Sequence, residues 1–134
     1  MNRYLLDTNH LSHAMRRVSA LRDRIGQQRL QGDKFGTCVP ALCELEVGIL
    51  QTGYVEENHR RLRGLMKGVA VWPVELAAAP LYAQYYMSLR ARGRVLDPVD
   101  LLVAVVATLQ NAVVLTADQD FTGLPEVRTE NWLT

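Results

Sequence analysis

The sequence predicts an α/β domain with a central parallel sheet of four to five short strands flanked by helices. Three observations point to it. Short apolar runs, Tyr4-Leu5-Leu6 and Val113-Val114-Leu115 among them, recur along the chain and suit strands buried on both faces. Between them lie longer stretches with helical spacing and recognisable caps. Their alternation is the signature of strand–helix–strand crossovers. With 134 residues, 49% hydrophobic and 22% charged, the chain is expected to fold as one domain over 1–134. No internal repeat, low-complexity tract or linker interrupts it.

In chain order, residues 4–7 read as a short buried strand and 9–16 as a helix. Ser19 suits the N-cap of a second helix with Leu21, Ile25 and Leu30 as its apolar face. Gly32-Asp33 marks a turn, and 35–39 a second strand. Pro40 fits the first turn of the next helix, where its missing N–H would be unpaired anyway; Leu42, Leu45, Val47, Ile49 and Leu50 follow, and the helix stops near Gly53. Residues 55–67 form a charged amphipathic helix with apolar Leu62, Leu65 and Met66, making a helical hairpin with its predecessor. A strand over 69–74 precedes a long helix over 76–92, ended by Gly93. Asp97-Pro98-Val99-Asp100 is a strong helix start with Asp97 at the cap. The helix it opens is apolar nearly all round and therefore buried. Strands over 112–116 and 127–129 complete the expected sheet. Trp72 and Trp132 read as packing residues rather than base-stacking platforms.

The formal net charge is +1, so bulk charge does not announce nucleic-acid binding. Of 15 basic residues, however, only Lys34 and Lys67 are lysine, and arginine suits bidentate contacts to phosphate. The arginines cluster, as in Arg16-Arg17, Arg60-Arg61 and Arg90, Arg92 and Arg94. Any one cluster reads first as a solvated helix face; several beside an acidic site favour a polyanionic substrate. Cys38 and Cys43 make neither a CxxC pair nor a disulfide framework, and are expected as buried free thiols in a reducing cytoplasm. Neither a secretory leader nor an apolar run of about 18 residues is present, so no membrane association is expected.

Four acidic residues lie against apolar segments: Asp7 after Leu5-Leu6, Glu44 after Ala41-Leu42-Cys43, Asp100 before Leu101 to Ala107, and Asp118 after Val114-Leu115-Thr116. In open parallel sheets, ligands bind beyond the carboxyl ends of strands, where Asp7 and Asp118 fall. Carboxylates massed at one point repel by about 4 kcal/mol per pair at 4 Å in an effective dielectric near 20. A divalent cation offsets that repulsion, and hard oxygen donors suit Mg²⁺ or Mn²⁺. Plainer readings stand beside this one. Asp7 serves as a helix N-cap, Asp118 takes part in a turn, and Asp97 caps its helix. Glu46 points away from Glu44 and is solvated or paired with an arginine. Asp100, at a helix N-terminus, is expected to be held ionised by the macrodipole. Asp120 supports its loop, and Phe121 anchors that loop in the core.

Taken in order, Leu5-Leu6-Asp7-Thr8-Asn9, Glu44-Leu45 with Gly48, Asp100 opening a buried Ala-containing helix, Thr116-x-Asp118-x-Asp120-Phe121 and the closing Glu130-Asn131-Trp132-Leu133 resemble the PIN-domain ribonucleases. Within that family the pattern looks like a VapC-type toxin of a bacterial toxin–antitoxin pair, over essentially the whole chain. The resemblance implies a PIN fold and an acidic quartet at Asp7, Glu44, Asp100 and Asp118, of which Asp7, Asp100 and Asp118 are the metal ligands. It implies polar helpers at Thr8, Asn9 and Thr116; Asp97 and Asp120 join them in support from their cap and loop positions. The family often has Asn just before its third acidic residue; here Val99 stands there, which removes one polar helper. The resemblance further implies a homodimer and a small antitoxin partner whose tail fills the acidic groove. The expected activity is Mg²⁺- or Mn²⁺-dependent RNA cleavage by activated water, with Arg16, Arg17, Arg92 and Arg94 as candidates for binding the RNA backbone.

Other readings are weighed against it. RNA processing by the same chemistry outside a toxin–antitoxin system is one, and a catalytically silent RNA- or protein-binding module another. An aspartyl phosphotransferase of the haloacid-dehalogenase kind needs a second Asp two residues after the first, where this chain has Asn9. A receiver domain needs a Lys after a late strand, and Lys34 and Lys67 are misplaced for it. His10, His13 and His59 leave room for histidine acid–base chemistry or, through the His10/His13 pair, a transition metal.

Overall fold

In the computed structural model, which describes residues 1–133, the chain runs β1 (Arg3–Leu6), α1 (Thr8–Ala14), α2 (Ala20–Leu30), β2 (Lys34–Thr37), α3 (Val39–Leu50), α4 (Val55–Met66), β3 (Ala70–Val71), α5 (Ala78–Ala91), α6 (Pro98–Leu109), β4 (Val113–Leu115) and β5 (Thr129–Glu130). All five strands are parallel, in the order β3-β2-β1-β4-β5. The chain therefore builds outward from β1 in one direction, then returns to β1 and builds in the other. Parallel neighbours need crossovers, and a crossover helix running back across the sheet starts at the carboxyl edge. The reversal in strand order opens a crevice at that edge between β1 and β4. The register sets its floor: Leu6 pairs with Leu115, and the Asp7 N–H donates to the Leu115 carbonyl at 3.2 Å.

The caps behave as their chemistry requires. Ser19 accepts from the Arg22 N–H at 3.0 Å, and Asp97 from the Asp100 N–H at 3.0 Å. Pro40 and Pro98 each sit in the first turn of a helix. β2 ends two residues earlier than expected, because Cys38 caps α3 and Val39 is its first helical residue. The expected strand over 69–74 shortens to two residues, and the last strand lies at Thr129–Glu130, leaving Val127 packed in the core. Gly93 ends α5 with φ +67°, a conformation glycine adopts without strain.

The core joins Leu5, Leu6, Leu11, Leu101, Val105, Leu115 and Phe121. α6 is buried through Leu101 and Val103 to Ala107, and α5 packs on it, with the Tyr85 hydroxyl 2.8 Å from Thr108 Oγ1. Trp72 packs against the backbone of β2 so closely that a Cβ on Gly36 would lie 2.5 Å from its ring. Trp132 is nearly buried too, with its ring centroid 4.8 Å from Tyr4 and 5.7 Å from Phe35, and the Arg24 guanidinium 3.7 Å over its face. Both tryptophans are thus packing residues.

Some side chains depart from expectation. Leu30 is 91% exposed: five residues past Ile25 it has rotated about 140° off the apolar face of α2. Val47 and Leu50 likewise lie outside the face of α3 that buries Ala41, Leu45 and Ile49. Cys38 is buried, which pushes its thiol up, but Cys43 is exposed on α3. Glu46 pairs with His59 at 2.9 Å, not with an arginine. No helix among the described residues is long and apolar enough to cross a membrane.

Candidate functional site

Asp7, Glu44, Asp97, Asp100 and Asp118, with Thr8 and Asn9, line one cavity of about 300 Å³ at the β1/β4 crevice. The topology explains the assembly. Asp7 follows β1; Thr116 and Asp118 follow β4; Asp97 and Asp100 open α6; Glu44 lies just over one turn into α3. All five carboxyl groups thus come from the carboxyl edge of the sheet or from the N-terminal halves of helices that begin there. The lining carries no Lys, Arg or His among the described residues.

Three of these carboxylates cap backbone segments while lining the cavity, so the plain reading of each holds and does not displace the functional one. Asp7 Oδ1 caps α1, accepting from the His10 N–H at 3.0 Å. Asp97 Oδ1 caps α6. Asp118 Oδ1 accepts from the Asp120 N–H at 2.8 Å and starts a 3₁₀ segment, Gln119–Gly123, that the sequence did not foretell. Using one oxygen as a cap holds the side chain still while the other stays available. Thr116 is buried below them, and its Oγ1 accepts from the Asp118 N–H at 3.0 Å. Asp120 supports the loop through its backbone N–H, with its side chain exposed. Thr8 Oγ1 donates to Glu44 Oε1 at 3.0 Å, with the Ala41 carbonyl at 3.3 Å as the competing acceptor. Glu44 itself is exposed, so the apolar setting suggested by its sequence neighbours is not realised.

Asp100 stands at the electrostatic centre. Its carboxyl is pushed up to about 7, first by burial, then by the Asp97 carboxylate and their hydrogen bond, then by Asp118 and Glu44. The macrodipole of α6 was expected to keep Asp100 ionised; burial and three like charges outweigh it. Among the described residues, no three His, Cys, Asp or Glu side chains are drawn in to a common cation-binding distance. The carboxylates therefore ring the cavity rather than close on its centre. The donor set still fits a hard divalent cation: every candidate ligand is oxygen, and the charge that raises Asp100 is the charge a cation would neutralise.

This has a measurable consequence for the metal-free protein. Below the ordinary carboxyl value of 3.8, Asp100 is protonated whether folded or unfolded. Between 3.8 and about 7 only the unfolded chain ionises it, so stability falls as pH rises and levels off above about 7. Thermal melts in chelator from pH 5 to 8.5 should show this decline, and Asp100→Asn should flatten it. A variant with the same slope as wild type would place the titrating group elsewhere.

The arginines divide. Arg16 borders a second groove beside the acidic cavity, which it shares with Asn9, Glu44, Asn58 and Arg61. Arg17 lies exposed after α1, and its carbonyl accepts from Arg22. Arg92 and Arg94 instead hold the 3₁₀ segment, through the Gly123 carbonyl and Thr122 Oγ1. Arg61 belongs to one of the arginine clusters read in the sequence, whereas Asn58 has no such signal; the folding of α4 against α3 brings both there. His10 was foreseen only as a rival acid, base or metal ligand. It is fully enclosed and bonded through both ring nitrogens, which removes it from contact with any substrate.

Residues 4–127 match the PIN domain family. The chain is a member of that family. The PIN domain is 33% identical to ribonuclease VapC5 of Mycobacterium tuberculosis over 94 residues, 69% of this chain and 70% of that one. Its fold superposes on a crystal structure of VapBC2 from Rickettsia felis bound to a DNA fragment from their promoter, with TM-score 0.87 and 21% identity, covering 97% of this chain and 98% of that one. It also matches a crystal structure of VapBC-5, a member of the VapBC family of toxin-antitoxin systems from Mycobacterium tuberculosis. There the TM-score is 0.70 and the identity 26%, covering 98% and 99% of the two chains.

Proposed function

We propose that this PIN domain is a metal-dependent endoribonuclease, the toxin of a toxin–antitoxin pair. The observation that carries the chemistry is the ring of five carboxyl side chains that includes Asp100, whose raised proton affinity marks a site short of positive charge. The likeness to ribonuclease VapC5 supports RNA as the substrate, and the likeness to VapBC-5 supports an antitoxin partner. Asp7, Asp100 and Asp118 would hold Mg²⁺ or Mn²⁺. When bound, such an ion lowers the pKa of a water molecule and offsets charge building on the phosphodiester.

The chain's own groups do the rest. Glu44, held by Thr8, accepts the proton of the attacking water. Asn9 offers an exposed amide at the cavity rim for a phosphate oxygen. Asp97 and Thr116 keep Asp100 and Asp118 in place through backbone N–H groups. Arg16, on the groove beside the cavity, and exposed Arg17 would contact the RNA backbone, so affinity should fall with salt. Arg92 and Arg94 contribute instead by fixing the loop after Asp118. We further propose a homodimer acting in the cytoplasm; exposed Tyr86 and Met87 on α5 and Leu109 at the end of α6 are the kind of apolar surface a subunit interface covers.

The test is RNA cleavage by the purified, antitoxin-free chain, with Mg²⁺ or Mn²⁺ and then with chelator. Cleavage should need the metal and leave a 5′-phosphate and a 3′-hydroxyl. A 2′,3′-cyclic phosphate product, or activity that survives chelation, would overturn the mechanism.

A further inference from the structure

His10 has no exposed surface, and its ring joins opposite ends of the chain. Nδ1 lies 3.3 Å from Asp7 Oδ1, and Nε2 lies 3.2 Å from the backbone nitrogen of Trp132. A backbone N–H can only donate, so Nε2 is the acceptor and carries no proton. The ring is therefore neutral with its proton on Nδ1, and that N–H donates to Asp7 Oδ1. A peptide group 122 residues away selects the tautomer. That peptide group is itself well held, because the Trp132 ring is packed on Tyr4 and Phe35 and covered by Arg24. Asp7 Oδ1 also accepts from the His10 backbone N–H. Both bonds fall on one oxygen; among the described residues Oδ2 takes none and is left for the cavity.

We propose that His10 is a positioning residue for Asp7. As a neutral Nδ1–H imidazole locked by Trp132, it pins Oδ1 and turns Oδ2 toward the place a divalent cation would occupy. Carboxylates that ligate metals are commonly held by such outer hydrogen bonds. The inference rests on the nuclease reading above for what the orientation is used for, and on the hydrogen-bond geometry for the orientation itself.

Two shape-matched replacements separate the ends of the ring. His10→Asn puts an amide near the Nδ1 position, keeping a donor for Asp7 and losing the acceptor for Trp132. His10→Gln reaches the Nε2 position, keeping that acceptor and losing the donor. Nitrogen NMR of the metal-free wild-type protein should show His10 with Nδ1 protonated and Nε2 bare; a proton on Nε2 overturns the proposal without any variant having to fold. Calorimetric titration with Mn²⁺ should show affinity falling about 10- to 100-fold in His10→Gln and staying close to wild type in His10→Asn. In steady-state cleavage the Gln variant should lose kcat at little-changed KM. Equal losses in both folded variants, or no loss in either, overturn the positioning role. A wild-type protein that neither binds Mn²⁺ nor cuts RNA overturns the nuclease reading itself, and the first titration already tells the two failures apart.

Discussion

An Asp100→Asn protein is expected to lose more than about a hundredfold of its RNA-cleaving rate, beyond the usual range for losing an outer partner of a metal ligand, while melting no lower than wild type without metal. The two halves of that result have one cause. Wild-type Asp100 is half-buried among three other carboxylates that push its own carboxyl up to about 7. Asparagine keeps the size and removes the charge, so the folded protein is relieved of repulsion that no basic side chain among the described residues lining the cavity compensates. The same relief removes the attraction for a cation, since an amide oxygen is a far weaker partner for a hard divalent ion. Wild type should gain melting temperature on addition of Mn²⁺ at pH 8, as any ligand bound only by the folded state provides, and the variant should gain much less. Mn²⁺ binding near pH 7 should also release protons in wild type more than in the variant, measurable by titration in buffers of different ionisation enthalpy. A variant that cut RNA normally, or melted well below wild type, would remove Asp100 from the centre of the site.

The second large effect is structural. Phe121 is 1% exposed and pins the 3₁₀ segment that Asp118 begins. That segment lies tight on α5: a Cβ on Gly123 would stand 2.7 Å from Leu89, and Arg92 and Arg94 bind its backbone and Thr122. Phe121→Ala is expected to cost about 3–5 kcal/mol, from lost transfer energy and the cavity left behind. Against a total of about 5–15 kcal/mol that is a large share, and the melting temperature should fall by more than about 10 °C. Metal affinity should fall as well, because Asp118 loses the floor of its loop. Phe121→Leu should recover part of both. A Phe121→Ala protein that melted with wild type would show that this packing does not carry the loop.

The site was legible where chemistry and periodicity disagree. An apolar run broken by a carboxylate, as at Asp7, Asp100 and Asp118, marks an element end whatever the fold, and the fold then brings those ends to one edge. Strand order was not legible. Nothing local says that β4 lies beside β1, yet that adjacency makes the crevice. Asp100's proton affinity was misjudged for a related reason: the helix dipole is local and visible in sequence, whereas burial and the approach of Asp97, Asp118 and Glu44 belong to the folded chain. Leu30 reads in sequence as part of the apolar face of α2, and Val47 and Leu50 as apolar residues of α3, but helix rotation places all three outside the core. The spacing of His10 from Asp7 was visible as an i,i+3 pair, but the partner that decides its role, Trp132, lies at the far end of the chain.

The order in which the sheet is laid down also orders the assembly of the site in time. A nascent chain that has reached only β3 holds Asp7 just past a strand whose inner edge is still open, for β4 has not been made. Asp97, Asp100 and Asp118 are likewise absent, and His10 has no peptide group to set its tautomer. A ribosome thus makes the chain through β3 before three of the five carboxyl groups of the cavity exist.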